Sequence, residues 1–153
     1  MPLTTKEIEE QLLKRYEGLA PQNTWGETSY FYNPGNKLSR GAYFMTIKEK
    51  DGENDKASKL DREGVFRINC GTTKSDFMKL FGEKPARPPK GGVVEGPWDF
   101  TERDTIMPHP VYGWAGWICV LNPSEKTLNN FFKIADDYYD EAVVRFNKRI
   151  SKN

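Results

Sequence analysis

Residues 115–150 read AGWICVLNPSEKTLNNFFKIADDYYDEAVVRFNKRI, and the change of hydrophobic period within them decides the fold. Ala115 to Leu121 form a short apolar run, which reads as a buried strand. Asn122-Pro123-Ser124 breaks that run, and Ser124 suits the cap of a helix. Beyond it, Leu128, Phe131, Phe132, Ala135, Tyr138, Tyr139, Ala142, Val143, Phe146 and Ile150 recur at helical spacing. A helix with so long an apolar stripe must bury it, and a sheet is the partner available.

Working outward, Lys84 to Gly96 carries Pro85, Pro88, Pro89 and the Gly91-Gly92 pair, and reads as a long surface loop that Trp98 and Phe100 pin down. A short helix precedes it, with Ser75 as the expected cap, Phe77, Leu80 and Phe81 as its apolar stripe and Gly82 as its stop. Val65 to Cys70 (VFRINC) reads as a strand. The charged run Lys48 to Lys59 reads as a solvated loop. In Gly41 to Lys48, strict alternation puts Tyr43, Met45 and Ile47 on one face and Ala42, Phe44 and Thr46 on the other. Asn33-Pro34-Gly35-Asn36 is a turn, and Thr28 to Tyr32 has strand composition. Thr4 and Glu7 form a capping box, and Ile8, Leu12, Tyr16 and Leu19 predict a helix from Thr5 to Leu19, closed by Gly18 and Pro21. The expected fold is α+β: an antiparallel sheet of four or more strands, with the N- and C-terminal helices packed on one face, in a single domain spanning residues 1–153.

The bulk composition narrows the function classes. Of 153 residues, 23 are Lys or Arg and 22 are Asp or Glu, so the chain lacks the basic excess typical of a nucleic-acid binder. Two cysteines, Cys70 and Cys119, make no disulfide framework and read as buried small hydrophobes. No apolar run approaches the roughly 18 residues that a membrane span needs. The polar, acidic segment Met1 to Glu10 is unlike a signal peptide, and the expected compartment is the cytoplasm.

Several motifs carry a family resemblance. Trp25 to Pro34 (WGETSYFYNP), Arg40 to Glu49 (RGAYFMTIKE), Asp61 to Arg67 (DREGVFR) and Met107 to Trp114 (MPHPVYGW) together resemble a group of small bacterial-type domains of unknown function. The last segment, followed by Trp117-Ile118-Cys119-Val120 and a Tyr-bearing helix, is also similar in outline to the MmcQ/YjbR-like proteins. That resemblance implies a CyaY-like sandwich, and MmcQ/YjbR-like proteins are often described as DNA-binding, which the fold alone does not establish.

No Gly-Lys-Ser/Thr phosphate loop and no Gly-x-Gly-x-x-Gly fingerprint occurs, so no cofactor is implied. The lone histidine, His109, has no neighbouring His or Cys at zinc-ligand spacing, so no metal is expected. Asp51 to Asp55 resembles the start of a calcium loop, but Lys56 and Arg62 stand where glycine and glutamate are required. A Cys70–His109 pair is a further arrangement that could activate a thiol. The polar residues set among aromatics are the better candidates. His109, Glu27 and Asp61 are candidate acid–base groups. Trp25, Arg40, Arg67 and Trp114 are candidate ligand contacts, with the forked guanidinium groups suited to a small anionic or planar ligand. Arg67 shares a strand face with Val65 and Asn69, and when buried it needs a carboxylate, for which Glu27 or Asp61 could serve. The plain structural alternative is a salt-bridged sheet edge. The sequence therefore leaves three functions open: a small binding or interaction domain with an Arg/Glu/His-lined pocket, a small acid–base enzyme using His109, or a MmcQ/YjbR-like DNA binder. The basic helix end, Arg145, Lys148, Arg149 and Lys152, is explained by the helix dipole alone.

Overall fold

The computed structural model describes residues 3–152, and Met1, Pro2 and Asn153 lie outside it. The elements are helix α1 (Thr5–Arg15), strands β1 (Leu19–Thr24), β2 (Glu27–Tyr32), β3 (Ala42–Lys48) and β4 (Arg67–Gly71), helix α2 (Lys74–Phe81), strands β5 (Met107–Pro108) and β6 (Trp117–Leu121), and helix α3 (Glu125–Ser151). The sheet has six strands in the order β1-β2-β3-β4-β6-β5, and every neighbouring pair is antiparallel. The expected α+β class is what the chain adopts.

The first helix starts where its capping box requires, with the Thr4 hydroxyl accepting from the Glu7 amide and the Glu7 carboxylate accepting from the Thr4 amide. It stops at Arg15, short of the expected Leu19. Tyr16 turns extended and points its ring at α3, donating to the Phe132 carbonyl at 3.0 Å and to Asp136 at 2.7 Å. Gly18 then takes a positive φ of 81°, which lets Leu19 enter a strand instead. That strand, β1, is an edge, so Pro21 costs no ladder bond.

β3 departs from strict alternation. Tyr30 of β2 lies opposite Met45 and Phe31 lies opposite Tyr43, so Phe44 is the extra residue of a β-bulge. Phe44 and Met45 both enter the helix-side core, and Tyr43, Thr46 and Lys48 come to the other face. The α2 cap is Thr73, not Ser75, and Gly82 ends the helix with a φ of 82°.

All three helices cover one face. Ile8 and Leu12 of α1, Phe77 of α2, and Phe131 and Phe132 of α3 pack on Phe44, Ile68, Ile118 and Val120. Gly71 carries no side chain because Tyr138 lies on it: a Cβ there would sit 2.2 Å from the tyrosine ring. The basic end of α3 is tied to β3, with Arg145 donating to the Tyr43 carbonyl at 3.0 Å and Arg149 to the Gly41 carbonyl at 2.7 Å. The opposite face bears loops instead of helices. One loop runs over residues 49–66. The other spans 82–106 and buries Val94 and Phe100 against Met107 and Cys119, with Trp98 and Trp114 at the margin. No helix among the described residues is long and apolar enough to cross a membrane.

Candidate functional site

The loop-covered face is built around Arg67, which is fully buried, with 0% of its surface exposed. Its guanidinium is held on every side. Nε donates to Asn69 Oδ1 at 2.7 Å, and Nη1 donates to Asp55 Oδ1 at 3.0 Å and to Ser58 Oγ at 2.9 Å. Nη2 donates to the second Asp55 oxygen, which makes the pair a bidentate fork. The carboxylate partner is therefore Asp55, not Glu27 or Asp61. It comes from the charged run that composition marks as solvated, and Ser58 of the same run is buried. Burial pushes the Asp55 carboxyl upward, but the Arg67 guanidinium outweighs it and holds the acid below its ordinary range. Burial likewise disfavours charge on Arg67, and Asp55 reverses that.

The network is polarised. Because Asn69 Oδ1 accepts from Arg67, its amide nitrogen faces Thr46 and donates to the hydroxyl at 2.8 Å. Thr46 therefore keeps its own proton free to donate. At the other end, His109 Nδ1 accepts from the amides of Val111 and Tyr112, each at 3.1 Å. Donors thus stand at both ring nitrogens, the two amides at Nδ1 and Arg67 Nη2 at 3.2 Å from Nε2, and a neutral imidazole has one lone pair to offer them. Burial first, and the Arg67 charge second, push the His109 pKa well below the ordinary histidine value. His109 is thus a neutral strut between a loop and the buried arginine.

Above this floor lies a cavity of about 390 Å³. Thr46, Lys48 and Asn69 rise from the sheet, Asp55 and His109 close one side, and Glu27 stands beside Lys48 with 3.7 Å between charges. Tyr43, Tyr112 and Trp117 supply aromatic surface. The Tyr43 ring meets Trp117 edge-on at 5.1 Å, and Tyr112 leans on His109 at 5.1 Å.

Of the candidates read from sequence, Glu27 and His109 line this cavity, and Arg67 lies directly beneath it, hydrogen-bonded to Asp55 and Asn69 and 3.2 Å from His109 Nε2. Arg40 lies over the Phe31 ring at 5.8 Å and does not line the cavity. Trp114 packs on the small core under the second loop, with Arg87 over its ring at 4.7 Å. Trp25, 78% exposed at the β1–β2 hairpin tip, and Asp61 belong to a different feature, an open groove of about 900 Å³ between the hairpin and the 60–66 segment. Asp61 there accepts from the Asp51 amide, while Asp51 accepts from the Leu60 amide, a reciprocal clasp that closes the loop. The groove is larger, but among the described residues no buried polar network like that of Arg67 underlies it, so the chemistry concentrates in the smaller cavity. Sequence reading missed Asp55, Tyr43, Thr46, Lys48, Asn69, Tyr112 and Trp117. The one available signal was that a buried Arg67 demands a nearby acid.

The two thiols are free, buried and on opposite faces of the sheet. Cys70 lies in the helix-side core, across the sheet from His109, and burial raises its pKa well above the ordinary value. Cys119 shares the loop-side face with His109, but its thiol faces the Pro108 carbonyl at 3.7 Å, and burial pushes it up to about 12. Among the described residues no three His, Cys, Asp or Glu side chains gather as a metal ion would need.

A family model for a family of unknown function, DUF6194, matches residues 3–151, nearly the whole chain. The chain belongs to DUF6194. Searches of curated proteins and of solved structures return no match for this DUF6194 member. The family relationship brings no activity with it, and any functional reading rests on the cavity.

Proposed function

We propose that this domain binds a small planar molecule in the cavity between Tyr43, Trp117 and Tyr112. The observation that carries this reading is the Arg67–Asp55–Asn69–His109 network beneath it. Burying an arginine fully is costly, and in a closed core even a paired one is often replaceable by well-packed apolar residues. Here the network opens instead onto a concave space with aromatic walls, the usual form of a small-molecule site. Arg67 itself is consumed by Asp55 and its neighbours, so its role is to hold Asn69, Asp55 and His109 in fixed orientations. The side chains left to touch a ligand are Lys48, Thr46, Asn69, Glu27 and the aromatics.

The acid–base reading draws less from the geometry. Protonating His109 would leave the ring no lone pair for the Val111 and Tyr112 amides or the Arg67 guanidinium, and Asp61 lies in the other groove. The DNA-binding reading, which came from the MmcQ/YjbR-like resemblance, has a net charge of +1 against it, and the cavity offers duplex DNA no basic stripe.

The test is a thermal-shift screen of a broad metabolite library on the wild-type protein and on Tyr112→Ala, since a ligand specific to the native state raises the melting temperature. Planar compounds should stabilise the wild type and lose most of that effect in the variant. A library without a single stabilising planar compound, or hits that act equally on the variant, would refute the proposal.

A further inference from the structure

We infer that the ligand of this cavity is a monocarboxylate on a planar ring, with its acid group seated on Lys48 and Thr46. This rests on the cavity reading above and goes one step further, to the chemistry of the occupant.

The argument starts from which hydrogen-bonding capacity the protein leaves unused. The chain of donors runs in one direction: Arg67 to Asn69, Asn69 to Thr46. It ends on a hydroxyl whose proton has no acceptor among the described hydrogen bonds, in a residue only 2% exposed. Such a group calls for an acceptor. Two residues along the same face of β3 stands Lys48, whose side chain is 13% exposed. Its only charged contact among the described residues is Glu27 at 3.7 Å. That is beyond the roughly 2.7–2.9 Å of a direct ammonium–carboxylate hydrogen bond. A buried donor and a poorly engaged ammonium, side by side on the cavity floor, are what an oxygen anion with two acceptors would complete.

The charge balance selects the anion. Arg67 and Asp55 cancel each other, and the remaining cation at the floor is Lys48, with the Glu27 carboxylate beside it. Lys48 and Glu27 balance as well, so an anion must take Lys48 from Glu27, and a singly charged acid does so against less repulsion from the Glu27 and Asp55 carboxylates than a doubly charged phosphate. Tyr43, Trp117 and Tyr112 give the cavity aromatic walls that suit a flat ring. A cavity of about 390 Å³ accepts one or two fused rings.

This model makes a specific use of Glu27. It is a competitor for Lys48, and its side chain is more exposed than that of Lys48, at 26%. Removing its charge should therefore strengthen acid binding, the opposite of what a ligand-contacting carboxylate would show.

The experiment is calorimetric titration of wild type, Lys48→Met and Glu27→Gln with benzoate and indole-3-carboxylate, their isosteric amides, and phenyl phosphate. Binding is located by shifts of the Asn69 side-chain amide and the Trp117 indole N–H in an NMR spectrum. The expected result is that the carboxylates bind at least tenfold more tightly than the amides. Lys48→Met should lose about tenfold or more while keeping the wild-type melting temperature, and Glu27→Gln should gain several-fold. Amides that bind as tightly as the acids, a preference for phenyl phosphate, or an unaffected Lys48→Met would each overturn the assignment. If no acid binds the wild type, the assignment fails as well. Should neutral planar compounds from the broad library still stabilise the protein through Tyr112, the cavity reading survives that failure. If none does, both fall.

Discussion

The two faces of the sheet solve the same problem with different materials. On the helix face, three amphipathic helices cover β3, β4 and β6 with Phe131, Phe132, Phe77 and Leu12, and the core there is dominated by hydrophobic side chains. On the loop face, irregular backbone covers the same strands. The apolar patches there are small, and a buried charge network fills the space between them. Helices satisfy their own backbone polar groups, so they can bring purely apolar stripes to a sheet. Loops cannot, and they come with polar side chains that need partners. The face that lacks helices is therefore the one with room for directional chemistry, and the cavity lies there.

The sharpest way to break this contrast is to strip the loop face of one charge. Asp55→Asn leaves Arg67 buried without its counter-ion and should cost about 3–5 kcal/mol of unfolding free energy, read as a drop in the urea midpoint. The double variant Arg67→Met/Asp55→Leu should recover most of that loss, because an apolar pair of similar volume carries no desolvation cost. If the single variant is as stable as wild type, the network is not what holds the loop. On the helix face a steric change should be felt instead. Gly71→Ala puts a methyl into the Tyr138 ring and should cost about 1–3 kcal/mol, without altering ligand binding across the sheet. Loss of binding in that variant would mean that the faces are mechanically coupled.

A subtler difference is in pH response. His109 stays neutral in the folded chain, and in the unfolded chain it titrates near pH 6.5. Its folded pKa is depressed, so its contribution is complete above about pH 6.5 and declines as pH falls below that value, where the unfolded state binds the extra proton. As the chain's one histidine, it gives an isolated signal. Melting temperature should fall between roughly pH 6.5 and 5 in the wild type, and much less steeply in His109→Gln. Equal slopes in the two proteins would remove the buried neutral histidine from the account. The smallest effect belongs to the helix face: Arg15→Met breaks the paired, partly exposed contact with Asp136 and should cost at most about 1 kcal/mol.

The same contrast explains what could be read in advance. The helix face was legible because its residues obey a period. The α3 stripe, the Thr4 and Ser124 caps and the Gly82 stop follow from local chemistry, and they appear where expected. Strand β1 was not legible: LAPQNT has no alternation and contains a proline, and it pairs as a strand because Gly18 redirects the chain to lie beside β2. The β3 bulge was hidden for a related reason. An extra residue leaves no mark in composition, yet it moves Thr46 and Lys48 to the cavity face and Met45 to the core. On the loop face the polar residues are brought together by tertiary topology alone. Arg67 and His109 could be singled out because an arginine amid apolar residues and a lone histidine between prolines are conspicuous. Asp55 could not, because one acid in a run of charges looks like any other. Trp25, Arg40, Asp61 and Trp114 were equally conspicuous, and topology sends them to a hairpin tip, a sheet margin, a loop clasp and a loop anchor.

The order of the strands has a consequence for how copies of this chain meet one another. The sheet ends on one side in β1, which carries Pro21, and on the other in the two-residue β5, which carries Pro108. An open sheet edge is a template on which another chain can grow a seventh strand, the first step toward fibrous aggregates. A proline in each border strand withholds an amide that such growth would use, and β5 is too short to offer a continuous ladder. The architecture thus carries its own protection against edge-to-edge polymerisation, and the chain can leave its loop face polar and open without becoming sticky at its borders.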